Sequence, residues 1–409
     1  MKKEQELIPH LFRTEYRKIV SVLCKHFGLQ QIQIAEDIAG DTFLTASETW
    51  GREGVPQNPT AWLYAVAKNR TINYLKRNST FKNNVAPEIA NNSGDHYKPD
   101  IDLSPQNISD SQLQMMFAIC HPSIPEEAQI GLSLRILCGF GIEEIADAFL
   151  SNKETINKRL YRAKKKLREK EIKIELPKAS EIDEHLETVL TTIYLLFNEG
   201  YYSVSQNSTL RKDLCLEAMR LCNMLVENKH TRRPQVNALL ALMCFHTSRF
   251  ETRLDNNGEF ILYEDQNTDL WNAELIQKGS YYLNQAASGD SVSTYHLEAA
   301  IAWWYTRKED TQEKWDNILQ LYNQLLQIEY SPIAAFNRTY ALSKVNGKRE
   351  AIREVEKLKL NDNHFYFTLL GVLYKDIDNA KAKKHLNKAL SLAKTQTDKK
   401  AIQKKIDKL

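Results

Sequence analysis

Apolar residues recur at helical spacing along almost the whole chain, and this pattern decides the fold class. Alternation typical of β-strands is rare, and the 14 glycines and 11 prolines fall mainly between the apolar-periodic segments. A chain of 409 residues is too long for one ordinary hydrophobic core and predicts two or three domains. We therefore expect an all-α protein made of several helical domains.

Polar and turn-forming residues mark the predicted domain boundaries. Residues 78–109 are rich in Asn, Ser, Asp and Pro and poor in large apolar side chains, which is typical of a flexible linker. This segment separates a helical group at 7–77 from a second small helical domain at 110–172. After Pro177, helical periodicity continues through a third predicted domain at 180–409.

The third domain contains a weak internal repeat. Four apolar positions recur at an offset of 30 or 31 residues, pairing Ala341, Ala351, Val355 and Leu358 with Gly371, Ala382, Leu386 and Ala389. Small residues at such positions let the two helices of a hairpin pack closely, as in tetratricopeptide-like repeats, although the usual period is a few residues longer. Irregular helical hairpins are equally compatible with the pattern.

Charge is distributed unevenly, although the net charge is only +3. Residues 153–173 contain ten Lys or Arg against three Glu, and residues 68–82 contain five Lys or Arg and no acid. Residues 31–54 contain five acids against one Arg. One such run alone is usually a solvated helix face, but this combination predicts nucleic-acid contacts at two places and a basic partner at a third.

Residues 141–168 predict a helix-turn-helix. The first helix has an apolar stripe at Ile142, Ile145, Ala146 and Phe149. A capping box formed by Ser151 and Glu154 is expected to start the second helix, whose predicted buried stripe is Ile156, Leu160, Ala163 and Leu167. A basic helix after a short helix and a tight turn is suited to a DNA major groove.

The polar face of this second helix supplies the candidate DNA contacts. Residues near the start of a recognition helix reach base edges, and we assign this role to Lys153, Thr155, Lys158 and Arg159. Phosphate contacts are expected further along, from Arg162, Lys164, Lys165 and Arg168. Glu154 could instead accept a hydrogen bond from a cytosine amino group, although we favour its capping role.

A second basic segment at 62–77 follows a turn-rich stretch at 51–59. Aromatic and basic side chains beside such a loop suit unstacked, single-stranded bases. Trp62 is equally compatible with a place in the core. The candidate residues are Trp62, Lys68, Asn69, Arg70, Asn73, Lys76 and Arg77.

Three motifs in a fixed order carry a family resemblance. The segments AEDIAGDTFLTASETW (35–50), NPTAWLYAVAKNRTINYLKR (58–77) and RLYRAKKKLR (159–168) resemble the extracytoplasmic-function (ECF) group of sigma-70 RNA polymerase sigma factors. The segments IYLLFNEGYYS (193–203) and YHLEAAIAWW (295–304) resemble the subgroup with a C-terminal tetratricopeptide-like domain. Gly40 departs from the family, which often has Gln there, and costs the helix up to about 1 kcal/mol.

The resemblance implies partners and roles. It implies that Asp37, Asp41 and Phe43 contact the clamp helices of core RNA polymerase, with a further contact to the polymerase flap. It implies that residues 51–77 melt and hold the −10 element of promoter DNA and that the helix-turn-helix reads the −35 element. The C-terminal domain is expected to regulate activity, and a protein or peptide partner would suit it.

Other classes of protein are less compatible with the sequence. No run of about 18 apolar residues or signal-peptide core is visible, and the six scattered cysteines are expected to be reduced and mostly buried, so we predict a cytoplasmic protein without a membrane contact. No nucleophile–base, phosphate-loop or metal pattern is present, and we expect no catalytic residues, cofactor or metal. Five polar or aromatic residues of the third domain are expected to satisfy one another: Asn198, Glu199, Arg249, Asp265 and Trp271. The alternatives are a stand-alone helix-turn-helix regulator with a ligand- or protein-sensing repeat domain and, less compatibly, an enzyme in the C-terminal part.

Overall fold

The computed structural model describes residues 2–85, 101–149, 151–201, 211–253, 261, 263–393 and 396–409. Within these ranges the regular structure is helical, which confirms the all-α prediction. The chain forms two compact units, residues 1–195 and 196–409, and the division falls inside one helix. Among the described helices, none is both long and apolar enough to cross a membrane.

The first unit contains three longer and several shorter helices. The longer ones are α1 (Lys2–Phe27), α2 (Ile32–Glu53) and α3 (Pro59–Val85). They are followed by α4 (Pro105–Ile119), α5 (Glu126–Leu132), a π-helical turn (Ser133–Leu137), α6 (Ile142–Ala148), α7 (Lys153–Glu169) and the first part of α8 (Ile182–Tyr201).

Helices from the two predicted N-terminal domains, 7–77 and 110–172, pack together in this unit. Helix α1 lies against α2, α4 and the π-helical turn. The guanidinium of Arg13 on α1 donates to Glu144 on α6 at 2.5 Å and lies over the Phe140 ring. Gly139, with a φ of +75°, allows a close approach here, because a Cβ would lie 2.8 Å from the Arg13 carbonyl oxygen.

The segment predicted as a linker is partly helical at both ends. Helix α3 continues to Val85, and α4 already begins at Pro105. Ser104 caps α4 by accepting a hydrogen bond from the Asn107 N–H, and proline at the first helical position has a backbone angle suited to a helix start. Within the predicted linker, residues 86–100 lie outside the described part of the chain.

The second unit is built around an apolar helix. Helix α10 (Pro234–Thr247) is buried on nearly every side and packs against α9 (Lys212–Glu227), α11 (Ala273–Ala286) and α12 (Thr294–Tyr305). A helix that is apolar all round is typical of a domain interior. All six cysteines of the chain are free and buried, as the sequence predicts.

Successive helical hairpins follow. They are formed by α13 (Gln312–Ile328), α14 (Pro332–Val345), α15 (Lys348–Leu358), α16 (His364–Tyr374), α17 (Asn379–Leu392) and α18 (Gln396–Ile406). The repeat detected in the sequence coincides with two of these hairpins, since its small residues lie on α14–α15 and α16–α17. Gly371 on α16 faces Leu386 on α17 so closely that a Cβ would lie 2.5 Å from the Leu386 Cγ.

One expectation for the second unit is wrong in part. The sequence predicts that Arg249 and Trp271 find partners among neighbouring polar residues. The Arg249 Nε and the Trp271 Nε1 are instead buried without a hydrogen-bond partner, although the Arg249 guanidinium lies over the Tyr263 ring. Glu199 lies near Arg211, and partial burial raises its pKa.

Candidate nucleic-acid interface

The start of α7 differs from the prediction by one residue. The Asn152 side chain, and not that of Ser151, caps the helix by accepting a hydrogen bond from the Thr155 N–H at 2.8 Å. Glu154 is therefore not part of a capping box. Its carboxylate lies exposed, 2.6 Å from the Lys158 ammonium.

The buried stripe of α7 agrees with the prediction. Ile156, Leu160, Ala163 and Leu167 are buried, at spacings of three and four residues. Leu160 lies close to Gly131 on α5, where an added Cβ would be 3.0 Å from the Leu160 Cδ2. This packing holds the opposite face of α7 toward solvent.

The solvent-facing side of α7 carries most of the predicted DNA contacts. Lys153 forms an ion pair with Glu143, and Lys165 lies 3.7 Å from Glu169. Exposed pairs of this kind contribute at most about 1 kcal/mol, so these cations can exchange their partners for phosphate groups. The exposed candidates are Lys153, Thr155, Lys158, Arg162 and Lys165.

Arg159 does not lie freely on this face. Its guanidinium is 2.8 Å from the Glu127 carboxylate on α5 and lies over the Phe149 ring at 5.4 Å. Its side chain is 27% exposed, against 63% for Lys158. Arg159 thus connects α5, α7 and the turn between α6 and α7, which makes a base contact less accessible to it than to its neighbours. Arg168 is also half-buried.

Lys164 connects the basic helix to the acidic one. Its ammonium lies 2.6 Å from the Glu36 carboxylate on α2, and both side chains are largely buried. The Arg135 guanidinium is 3.6 Å from the same carboxylate. The Lys164 ammonium, which was predicted to contact a phosphate group, is therefore already paired with a protein carboxylate.

Helix α3 presents the second basic surface. Asn69, Asn73, Lys76 and Arg77 are exposed at spacings of three and four residues, which places them along one face of the helix. Lys68 is half-buried. Arg70 is also half-buried and donates to Asp41 at 3.1 Å and to the Thr45 hydroxyl at 2.6 Å.

Trp62 lies at the edge of the aromatic packing between α2 and α3. Its ring meets that of the buried Trp50 edge-on, with centroids 5.3 Å apart, while part of it remains exposed. The two interpretations of Trp62 as a packing residue and as a base contact are therefore compatible. The turn-rich stretch ahead of it is shorter than predicted, because α2 continues to Glu53 and ends at Gly54, whose φ is +86°.

A shallow cavity lies beside α3 and was not predicted. Its volume is about 270 Å³, and its lining includes Tyr64 and Lys68 from α3 and Ile101 and Asp102 from the segment before α4. The Tyr64 hydroxyl donates to the Glu15 carboxylate at 2.5 Å, and burial together with that carboxylate raises the pKa of Tyr64. Local sequence patterns give no signal for this cavity, since its walls are distant in sequence.

The acidic helix α2 exposes two of its three candidate residues. Asp37 and Asp41 are exposed. Phe43 differs from the expectation, because it is 4% exposed and packs edge-on against Phe12 at 5.1 Å. Phe43 therefore fixes α2 against α1, and a direct contact with a partner would require the core to open.

Two family models match separate parts of the chain. Residues 11–81 match sigma-70 region 2, and residues 185–287 match a family of unknown function, DUF6596. An uncharacterized protein of Rhizobium meliloti, R00370, is 31% identical over 395 residues, covering 95% of this chain and 93% of that protein.

Shorter relatives match the N-terminal part. RNA polymerase sigma factor YlaC of Bacillus subtilis is 25% identical over 170 residues, covering 41% of this chain and 92% of that protein. RNA polymerase sigma-H factor of Pseudomonas aeruginosa is 24% identical over 174 residues, covering 40% and 90%. No solved structure matches the chain. Over nearly its whole length the chain belongs to the same family as the R. meliloti protein, and it carries a sigma-70 region 2 in its N-terminal part.

Proposed function

We propose that this protein is an ECF-type sigma factor that directs core RNA polymerase to specific promoters in the bacterial cytoplasm. Helix α7 binds the −35 element, α3 binds the −10 element and α2 binds the polymerase clamp helices. The second unit is a tetratricopeptide-like domain that regulates this activity. The chain itself performs no chemistry.

The observation that carries the proposal is the two-sided character of α7. Its apolar stripe is buried against neighbouring helices, while Lys158, Arg162 and Lys165 extend from the opposite face without a carboxylate from another described helix within 4.0 Å. A basic helix supported in this way can enter a major groove, where side chains near its start reach base edges and later ones hold phosphates.

The surface of α3 supports the assignment to the −10 element. Its exposed amides, Asn69 and Asn73, can hydrogen-bond to unpaired base edges, and Lys76 and Arg77 add phosphate contacts. The half-buried Trp62 offers a ring face for one unstacked base. Melted DNA is the ligand that this combination suits best.

The exposed carboxylates of α2 support the assignment to polymerase. Asp37 has no ion pair with any described residue, and the ion pair of Asp41 with Arg70 is exposed. Exposed carboxylates on one helix suit a basic partner surface. Core polymerase is the partner that sigma-70 membership implies.

The consecutive hairpins of the second unit support a regulatory role for it. Stacked hairpins form extended surfaces that bind peptides or other proteins. A partner bound there can change polymerase or promoter affinity through the same chain, and this makes a separate regulatory subunit unnecessary.

Run-off transcription with core polymerase tests the proposal. The templates are a promoter library and the region upstream of the protein's own gene, and the full chain is compared with Lys158→Ala and Arg162→Ala. We expect core-dependent transcripts from the full chain and promoter affinity weakened by about 1–3 kcal/mol for each variant whose side chain makes a base contact.

The same assay separates the alternative. A stand-alone regulator would bind duplex DNA tightly without core polymerase and would yield no transcript from any template. If Lys158→Ala and Arg162→Ala both gave the same transcripts as the unsubstituted chain, the sigma-factor function would stand. The assignment of the −35 contact to α7 would then be contradicted.

A further inference from the structure

The second unit ends in a strongly basic hairpin, α17–α18. The last 35 residues contain eleven lysines against four aspartates, a net charge of +7. By contrast, residues 211–374 contain 19 basic and 21 acidic residues. The positive charge is therefore concentrated at one end of this unit and is not a property of the whole of it.

The lysines of α17 lie opposite its buried side. Ala382, Leu386 and Ala389 are buried, and Lys384 and Lys388 are exposed on the other face, one helical turn apart. Neither lysine has a carboxylate within 4.0 Å among the described residues. Lys381, on the same stripe, is only 4.0 Å from Asp378 and lies over the Tyr374 ring.

Helix α18 repeats this arrangement beside α17. Ile402 is buried, whereas Lys404 on this helix and Lys408, two residues after its end, are exposed. The two helices pack against each other. We call the four outward lysines at 384, 388, 404 and 408 the lysine surface.

The four aspartates of the hairpin each have a partner outside the lysine surface. Asp376 lies 3.6 Å from Lys348, and Asp398 lies 3.5 Å from His364. Asp378 caps α17 by accepting from the Lys381 N–H, and Asp407 accepts from Gln403. Among the described residues, none of these aspartates forms an ion pair with a lysine of the lysine surface.

We propose that the lysine surface binds the phosphate backbone of duplex DNA. Its cations are all lysines, which act as point charges, whereas specific recognition of carboxylates or phosphorylated side chains favours the bidentate arginine fork. Duplex DNA carries one negative charge for about every 1.7 Å of its axis, so exposed lysines can bind it without a required register. This chemistry predicts affinity for any DNA sequence.

The inference rests on the proposed function for its biological consequence. A chain that already holds a promoter through α7 presents its other surfaces to DNA at a high effective concentration, so weak contacts add to the total affinity. The lysine surface then strengthens promoter binding without changing which promoter is chosen.

Salt-dependent DNA binding by the full chain tests the proposal. The probe is a fluorescein-labelled duplex of scrambled sequence, measured by anisotropy across a series of salt concentrations. We expect the combined variant Lys384→Gln, Lys388→Gln, Lys404→Gln and Lys408→Gln to bind more weakly. The slope of log K against log salt should become shallower by about 0.9 for each phosphate that the variant no longer neutralises.

A matched control separates local contacts from net charge. Lys229→Gln, Lys278→Gln, Lys308→Gln and Lys357→Gln remove the same charge from exposed lysines elsewhere in the second unit, three of which already lie beside a carboxylate. Equal effects of the two combined variants on affinity and slope would overturn the proposal. The proposal would also be overturned if the lysine-surface variant bound poly-glutamate more weakly but bound DNA as well as the unsubstituted chain. That result would assign the surface to an acidic protein.

The α7 variants distinguish this failure from failure of the proposed function. Lys158→Ala and Arg162→Ala are expected to reduce the preference for promoter over scrambled DNA, whereas substitution of the lysine surface weakens both alike. If the α7 variants kept their preference for promoter over scrambled DNA, the −35 assignment would be contradicted. The slope of log K against log salt would still test the lysine surface.

Discussion

The Glu36 carboxylate on α2 lies 2.6 Å from the Lys164 ammonium on α7, and this ion pair joins the acidic helix to the basic one across 128 residues of sequence. The side chain of Glu36 is 13% exposed and that of Lys164 is 19% exposed. Arg135 supplies a second cation to the same carboxylate. Water therefore screens this cluster less than it screens the other ion pairs of α7.

We predict that Glu36→Gln lowers the free energy of unfolding of the first unit by about 1–3 kcal/mol. The variant leaves two partly buried cations without their anion, so the cost lies between that of an exposed pair and that of a fully buried one. Urea unfolding measures it, and a double-mutant cycle with Lys164→Met isolates the pairwise contribution.

Glu48→Gln is the matched control for this prediction. Glu48 lies on the same helix but is exposed, and its side chain forms no ion pair with a described residue. Its substitution should change stability by less than about 0.5 kcal/mol. Equal effects of the two substitutions would show that the Glu36 cluster contributes nothing specific.

Asp37 is the exposed acid next to Glu36, and we predict that Asp37→Arg weakens binding to core polymerase. The reversed charge would repel a basic partner surface, which slows association and changes its dependence on salt. Affinity for core polymerase, measured with a labelled full chain at several salt concentrations, checks this. The circular dichroism spectrum should be unchanged because Asp37 is exposed.

Glu53→Arg provides the comparison for Asp37. It makes the same charge change on α2, but helical spacing places Glu53 about 160° around the helix from Asp37. Normal assembly by the Glu53 variant and impaired assembly by the Asp37 variant would locate the interface. If both variants assembled normally with core polymerase, the face of α2 that carries Asp37 would not be the polymerase contact.

Local patterns in the sequence predict α7 well and its connections poorly. The buried stripe from Ile156 to Leu167 follows from helical spacing alone. The sequence predicts a cap at Ser151, but Asn152 forms it, since both residue types can cap a helix and only the backbone path decides between them. The pairing of Arg159 with Glu127, like the burial of Phe43, depends on tertiary packing that no local pattern encodes.

The second unit shows the same division. The 30-residue offset predicts two equivalent hairpins, because close helix packing needs a small residue such as Gly371 at the contact. The sequence could not show that the Arg249 Nε and the Trp271 Nε1 are buried without a hydrogen-bond partner, because polar residue types suggest that hydrogen bonds are possible but do not fix which atoms meet.

Two helical glycines should respond in opposite ways to alanine. At Gly40 on α2 a Cβ would meet no atom within 4 Å, so Gly40→Ala should raise the free energy of unfolding by about 1 kcal/mol through helix propensity. At Gly371 the Cβ would overlap Leu386, so Gly371→Ala should lower it by about 1–3 kcal/mol despite the same propensity gain. Urea unfolding of the two variants checks both signs, and a gain at both sites would refute the close packing of α16 and α17.

The stability of the second unit should decrease as the pH falls below about 6.5. His246 on α10 is partly exposed at its surface but desolvated by the surrounding protein, and this desolvation, reinforced by Arg249 and Arg253, holds its pKa well below the ordinary value of 6.5. In the unfolded chain His246 takes up a proton near pH 6.5, whereas in the folded chain it stays neutral. The unfolded state therefore binds more protons below pH 6.5, and the free energy of unfolding falls there by at most about 1.4 kcal/mol for each pH unit.

His246→Gln isolates this contribution from that of the other histidines. Burial also lowers the pKa of His296 and His385, but their effects are common to both proteins and cancel in the difference. We expect the stability advantage of the unsubstituted chain over His246→Gln to be constant above pH 7 and to shrink between pH 6.5 and 5, as measured by urea unfolding. A difference that is independent of pH would mean that His246 takes up its proton at the same pH in the folded and unfolded chains, which would contradict the lowered pKa.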